Sequence, residues 1–142
     1  MRTLVDILER YNWPVRSVEA STPAKDIEFL VGFRMPADYA FFLNNYIGGE
    51  SHIGAEYVKL WDIDELIELN TAYGIYTLSN TLGIGSNAGG EFLAIEMTGS
   101  QEHRIVLSPF IDLDKSYHIE VGTSFTDFLV RLDSGKQFFS AL

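Results

Sequence analysis

The chain has 142 residues, 46% hydrophobic and 13% aromatic, no cysteine, and a formal net charge of −10 from 10 Lys plus Arg against 20 Asp plus Glu. Roughly 68–70% of the unfolded surface is buried at this length, so a single domain over residues 1–142 is expected, with no disulfide or thiolate zinc site. The apolar content excludes a disordered tail, and the charge opposes phosphate backbones and anionic membranes, so neither nucleic acid nor a membrane is expected as a direct ligand.

Residues 2–12 place Leu4, Ile7, Leu8 and Tyr11 on one helical face with Asp6, Glu9 and Arg10 off it, which predicts an amphipathic helix. Its interspersed acids and the lack of a long apolar core or small-residue cleavage site argue against a secretory signal. After a loop from Trp13, Thr22-Pro23 predicts a cap with proline in the first helical position, leading into Ile27, Leu30 and Val31 and stopping at Gly32. Met35-Pro36 starts a third helix with Tyr39, Phe42, Leu43 and Tyr46 at helical spacing, ended by Gly48-Gly49. Beyond Gly54 the period changes to two, and Tyr57 to Trp61 reads as a strand. Asp62-x-x-Glu65 has the form of a capping box, continued by Ile63, Leu66, Ile67 and Leu69 as a helix toward Tyr73 and Gly74.

Three short β-type runs follow, "TLGIG", "EFLAIE" and "RIVLS", joined by the hairpin-length segments "SNAGG" and "TGSQEH", so an antiparallel meander is the economical arrangement. "SYHIEV" adds a further strand or stays a loop. Thr123 or Ser124 caps a last helix carrying Phe125, Phe128, Leu129 and Leu132, ended by Asp133-Ser134-Gly135 and followed by Phe138-Phe139. Helices at both ends of a run of strands predict the α+β class, an antiparallel sheet of about four to six strands with the helices packed around it. The longest apolar runs are too short to span a bilayer. Ser140-Ala141-Leu142 resembles a peroxisomal address only loosely, lacking its basic middle residue. A cytoplasmic protein is expected, and a monomer, since neither a heptad nor a long apolar edge is evident.

The segment "LGIGSNAGGEF" offers three readings. Gly83-x-Gly85-x-x-Ala88 matches a degenerate dinucleotide fingerprint, but that motif needs a helix beginning within the glycines, and Ala88-Gly89-Gly90-Glu91 runs straight into a strand pattern. Ser86 fails as an elbow nucleophile because Ile84 and Ala88 stand where glycines are required. What remains is a glycine-rich hairpin in which Gly89 and Gly90 supply positive φ.

Other chemistry is equally thin. His52, His103 and His118 are far apart and read as ordinary surface or strand residues. Asp62/Asp64 and Asp112/Asp114 each form an Asp-x-Asp that would chelate magnesium only if the pairs converged; a helix cap and a solvated loop explain them more simply. Glu91 lacks an identifiable second carboxylate for glycosidase-type work. The aromatics sit at core-facing spacing, without the basic groove of a single-strand binder. No catalytic residue, cofactor or metal is therefore expected.

"IEFLVGFRMPADYAFFLNNYIGGE", followed by "YVKLW", "DIDEL", "IGSNAGGEFLAIE" and "TSFTDFLVRL", resembles the SUKH superfamily in order and spacing over roughly residues 20–133. It departs from that pattern at Ile47, where asparagine is frequent, and at Met35, where leucine is usual. The resemblance implies a cytoplasmic immunity protein, not an enzyme, that neutralises a cognate toxin, typically a nuclease or deaminase, by direct contact. The alternative it implies is an interaction or regulatory scaffold without a toxin. Taken alone, the acidity is explained by solubility; a basic toxin would make it a steering device. On this reading the candidate partner-binding residues are Glu50, Glu56, Tyr57, Asp62, Asp64, Glu91, Asp112, Asp114 and Tyr117, while Pro36, Gly48, Gly49, Trp61, Gly89 and Gly90 belong to the scaffold.

Overall fold

A computed structural model describes residues 2–139, so the address-like tripeptide Ser140-Ala141-Leu142 lies outside the described residues. The first helix, α1 (Leu4–Arg10), opens on a reciprocal capping box: the Thr3 hydroxyl accepts the Asp6 N–H at 3.1 Å and the Asp6 carboxylate accepts the Thr3 N–H at 3.0 Å. Leu4, Ile7 and Leu8 are buried, as their spacing predicts. The helix α2 (Ala24–Val31) ends at Gly32 in the left-handed region, φ +82°. Pro23 occupies its capping place instead of the first helical position, and Pro36 does the same for α3 (Ala37–Asn45). Thr22, expected to cap α2, instead gives its N–H to Asp64 at 2.8 Å.

The strands are β1 (Gly49–Ile53), β2 (Glu56–Leu60), β3 (Thr81–Ser86), β4 (Glu91–Met97), β5 (His103–Pro109) and β6 (Ile119–Gly122). They form one antiparallel sheet in chain order, β1-β2-β3-β4-β5-β6. Two of them go beyond the sequence reading. The start of β1 reads in sequence only as a helix stop at Gly48-Gly49, because "GESHI" is polar and only Ile53 is fully buried. The last strand settles the open status of "SYHIEV": Lys115–Tyr117 is a 3-10 turn and Ile119 onward pairs with β5. The helix expected from Ile63 divides into a 3-10 turn (Ile63–Glu65) and α4 (Leu66–Ala72), with the Asp62/Glu65 capping box in place. Finally, α5 (Phe125–Asp133) is capped by Ser124, whose hydroxyl accepts the Asp127 N–H at 3.0 Å.

Register separates the two faces of the sheet. Leu82, Ile95, Ile105 and Gly122 are successive cross-strand partners, and a Cβ at Gly122 would lie 2.7 Å from that of Phe128, so α5 covers this face. On the same side Tyr39 and Phe42 of α3 each meet Phe125 at 5.2 Å. The opposite face carries Gly83, Ala94, Phe92 and Glu96 and is covered by α4 and the segment that follows it. Buried Asn70 of α4 ties helix to sheet, its Nδ2 donating to the Gly83 carbonyl at 2.9 Å and its Oδ1 accepting the Gly83 N–H at 2.7 Å. Those bonds satisfy backbone groups at the bulge between Gly83 and Gly85, where the ladder is interrupted.

The β3–β4 hairpin corrects the assignment of positive φ. Ala88 (+61°) and Gly90 (+91°) adopt it, whereas Gly89 does not. Asn87 makes the difference, because its Oδ1 accepts the Gly89 N–H at 2.8 Å and closes a local turn. No helix among the described residues is long and apolar enough to cross a membrane.

Candidate functional site

The nine acidic and aromatic candidates divide by what their side chains already hold. Asp62 is committed to the fold: its Oδ1 accepts from Arg16 Nη2 at 2.6 Å and from the Gly48 N–H at 2.9 Å. The same guanidinium donates to the carbonyls of Leu43 and Tyr46, so one ion pair joins the end of α3 to the start of the 3-10 turn. Asp64 accepts from the N–H groups of Ser21 and Thr22. Buried Glu56 accepts the Phe139 N–H at 2.5 Å. Glu91 accepts from Asn87 Nδ2 at 2.8 Å inside the hairpin, and Asp114 accepts the Ser116 N–H at 2.9 Å to start the 3-10 turn before β6.

The remaining four are less constrained and do not form one patch. Glu50 is exposed on β1, and half-buried Tyr57 on β2 packs edge-on to His52 at 5.6 Å. Asp112 and Tyr117 are exposed on the β5–β6 connection, toward the other edge of the sheet. Sequence spacing cannot distinguish a carboxylate that caps a turn from one that faces solvent, because both occur in polar, turn-rich segments.

The β5–β6 connection runs beside the segment after α4. Phe110 meets Tyr73 at 4.5 Å and Phe92 at 5.2 Å. Leu113 lies 3.4 Å from where a Cβ on Gly74 would sit, and Lys115 Nζ donates to the Ser79 carbonyl at 3.0 Å. This strap ends in a group of charges that the sequence reading did not assemble. Glu96, 5% exposed, takes Arg104 Nε on Oε1 at 2.7 Å and His118 Nδ1 on Oε2 at 2.9 Å, with Lys115 Nζ 3.7 Å away. His118, read from sequence as an ordinary surface or strand residue, is instead a buried partner of a carboxylate. The alternation of "EFLAIE" places Glu96 on the same face as Phe92, but no local pattern names its partners, which come from β5 and the strap.

Burial by itself would raise the Glu96 carboxyl, but the hydrogen bonds from Arg104 and His118 outweigh it and hold the group below its ordinary 4.5. Asp133 follows the same logic: burial opposes ionisation, and the Tyr11 hydroxyl with Arg10 and Arg2 holds it below 3.8. A carboxyl whose folded value is depressed binds fewer protons folded than unfolded. Its contribution is complete above the unfolded value and lost as pH falls through the folded one. Urea midpoints are therefore expected to be flat near neutrality and to fall below about pH 4, with Glu96→Gln removing part of that acid sensitivity. An identical acid profile in the variant would assign the sensitivity to other carboxylates.

The alternatives raised by the sequence have clear placements. The Asp-x-Asp pairs occupy separate settings, Asp62/Asp64 against Arg16 and Thr22 and Asp112/Asp114 on the strap. Among the described residues no group of three or more His, Asp or Glu is placed to hold a metal ion. The glycine-rich hairpin enters β4 directly at Glu91, so no helix begins within it.

A search of curated proteins returns no match. The SMI1 / KNR4 family (SUKH-1) matches residues 24–131, from the first residue of α2 to within the last turn of α5. That span takes in the whole six-stranded sheet, and the chain belongs to the SMI1 / KNR4 family (SUKH-1).

Proposed function

We propose that this protein is an immunity protein that binds and neutralises a cognate toxin, a nuclease or deaminase of basic character, by direct contact in the cytoplasm. Family membership over residues 24–131 carries the reading. The net charge of −10 supports a basic partner, since complementary fields speed encounter. The protein itself acts by occlusion, without a catalytic step, as a monomer and without a cofactor.

The test is co-expression with the toxin domain encoded next to its gene, scored by cell survival and followed by binding rates across a salt series. Protection is expected, with association slowing as salt rises while dissociation changes less, because exposed charges are screened beyond roughly 10 Å at 0.1 M. Failure to protect against or bind that domain would put the scaffold reading first. Protection with a salt-independent on-rate would keep immunity and discard steering.

A further inference from the structure

The exposed large apolar side chains fall into two groups, Val15, Val18, Phe29, Phe41 and Ile47 in the first third of the chain and five others in its second half. Ile111 is 96% exposed, Tyr117 50%, Ile119 47%, and Tyr73 and Tyr76 46% each. Tyr73, Tyr76, Ile111 and Tyr117 belong to the strap or to the segment after α4 alongside it, whereas Ile119, the partner of Leu107, lies on the α5 face of β6. The contacts of Phe110 with Tyr73, Leu113 with Gly74 and Lys115 with Ser79 hold these two rails together. Such a collection of exposed tyrosine and isoleucine along two joined segments marks an interaction site.

Charge decides what it fits. Within the strap and β6, Asp112, Asp114 and Glu120 are exposed acids. The cations nearby are engaged: Lys115 with the Ser79 carbonyl and Glu96, and Arg104 with Glu96 and, at 4.0 Å, Glu120. The face therefore presents an apolar and aromatic centre with an acidic rim. A second copy of this acidic chain would meet like charge there; a basic protein surface would not.

We propose that the strap and the segment after α4 form the docking surface for a basic protein partner, with Ile111 and Tyr117 inserted as anchors and Asp112 and Glu120 as the charged rim. Glu96 acts as a positioning residue, holding the strap's C-terminal end through Lys115 and His118 without touching the partner. This rests on the immunity reading, because the partner it names is the toxin.

The experiment uses the full chain and a catalytically inactive form of the toxin domain encoded next to its gene, with affinity measured by calorimetry. Ile111→Asp and Tyr117→Ala are each expected to weaken binding at least ~10-fold. Phe41→Ala, on α3 and so on the α5 side of the sheet, is expected to leave it unchanged. Because Ile111 is almost fully solvated, its variant should keep the parent urea midpoint, which separates lost contact from lost fold. Slowed amide exchange at 110–120 in the complex is expected as a second readout. Binding by all three variants at parent affinity, or equal loss in Phe41→Ala, would overturn the surface while leaving immunity intact. Absence of binding by the unaltered protein would overturn the immunity reading, and the surface with it.

Discussion

Asp62→Ala is expected to lower the unfolding free energy by about 3 kcal/mol, seen as a reduced urea midpoint at unchanged slope. The cause is what the substitution leaves behind. Arg16 has a side chain only 9% exposed, so its guanidinium would lose its carboxylate with little water to replace it. The Gly48 N–H would lose its acceptor at the same time, and the 3-10 turn its cap. Asp62→Asn keeps an oxygen for the N–H and the cap but removes the charge, and should fall between the parent and alanine. Equal stability of Asp62→Ala and the parent would show that the pair is dispensable and return Asp62 to the pool of partner contacts.

Gly54→Ala is expected to cost about 2–5 kcal/mol, whereas Gly90→Ala should cost about 1–2, although both glycines have positive φ. Packing separates them. A Cβ at Gly54 would sit 2.1 Å from the backbone carbonyl oxygen of Leu132, and at Gly90 it would meet nothing within 4 Å. The β1–β2 turn is thus pressed against the end of α5, where Tyr11 also accepts the Gly54 N–H at 3.0 Å through its hydroxyl. The β3–β4 turn stands clear. Urea melts of the two variants measure the difference, and equal losses would mean the β1–β2 turn can move away from α5 freely.

The elements with strong periodicity are legible in the sequence. Leu4, Ile7 and Leu8 on α1, and Phe125, Phe128, Leu129 and Leu132 on α5, are buried where a period of 3.6 puts them. The central strands β3, β4 and β5 match their apolar runs because both faces are covered. The edges are harder. β1 has only one neighbouring strand and one fully buried side chain, so its residues carry little of the alternation that identifies a strand. Buried polar groups are harder still, since Glu96 with His118, and Asn70 with Gly83, are partners 22 and 13 residues apart that only the packed sheet brings together. The candidate contact residues suffer from the same limit. Asp62, Asp64 and Glu56 look available by residue type, and their commitments depend on chain segments remote in sequence.

The way the strap is fastened also bears on how the proposed docking surface could change. It is fastened by the Phe110 ring, the Leu113 side chain, Lys115 and His118, while Ile111 and Asp112 between those points project into solvent. Exchange at a solvated position away from caps and buried pairs usually alters stability by no more than about 0.5 kcal/mol. The segment therefore combines fixed anchorage with positions that tolerate almost any residue. With the strap as the proposed docking surface, mutation there would sample new recognition chemistry at nearly constant foldedness, and a lineage following a changing partner would not need to pass through unstable intermediates.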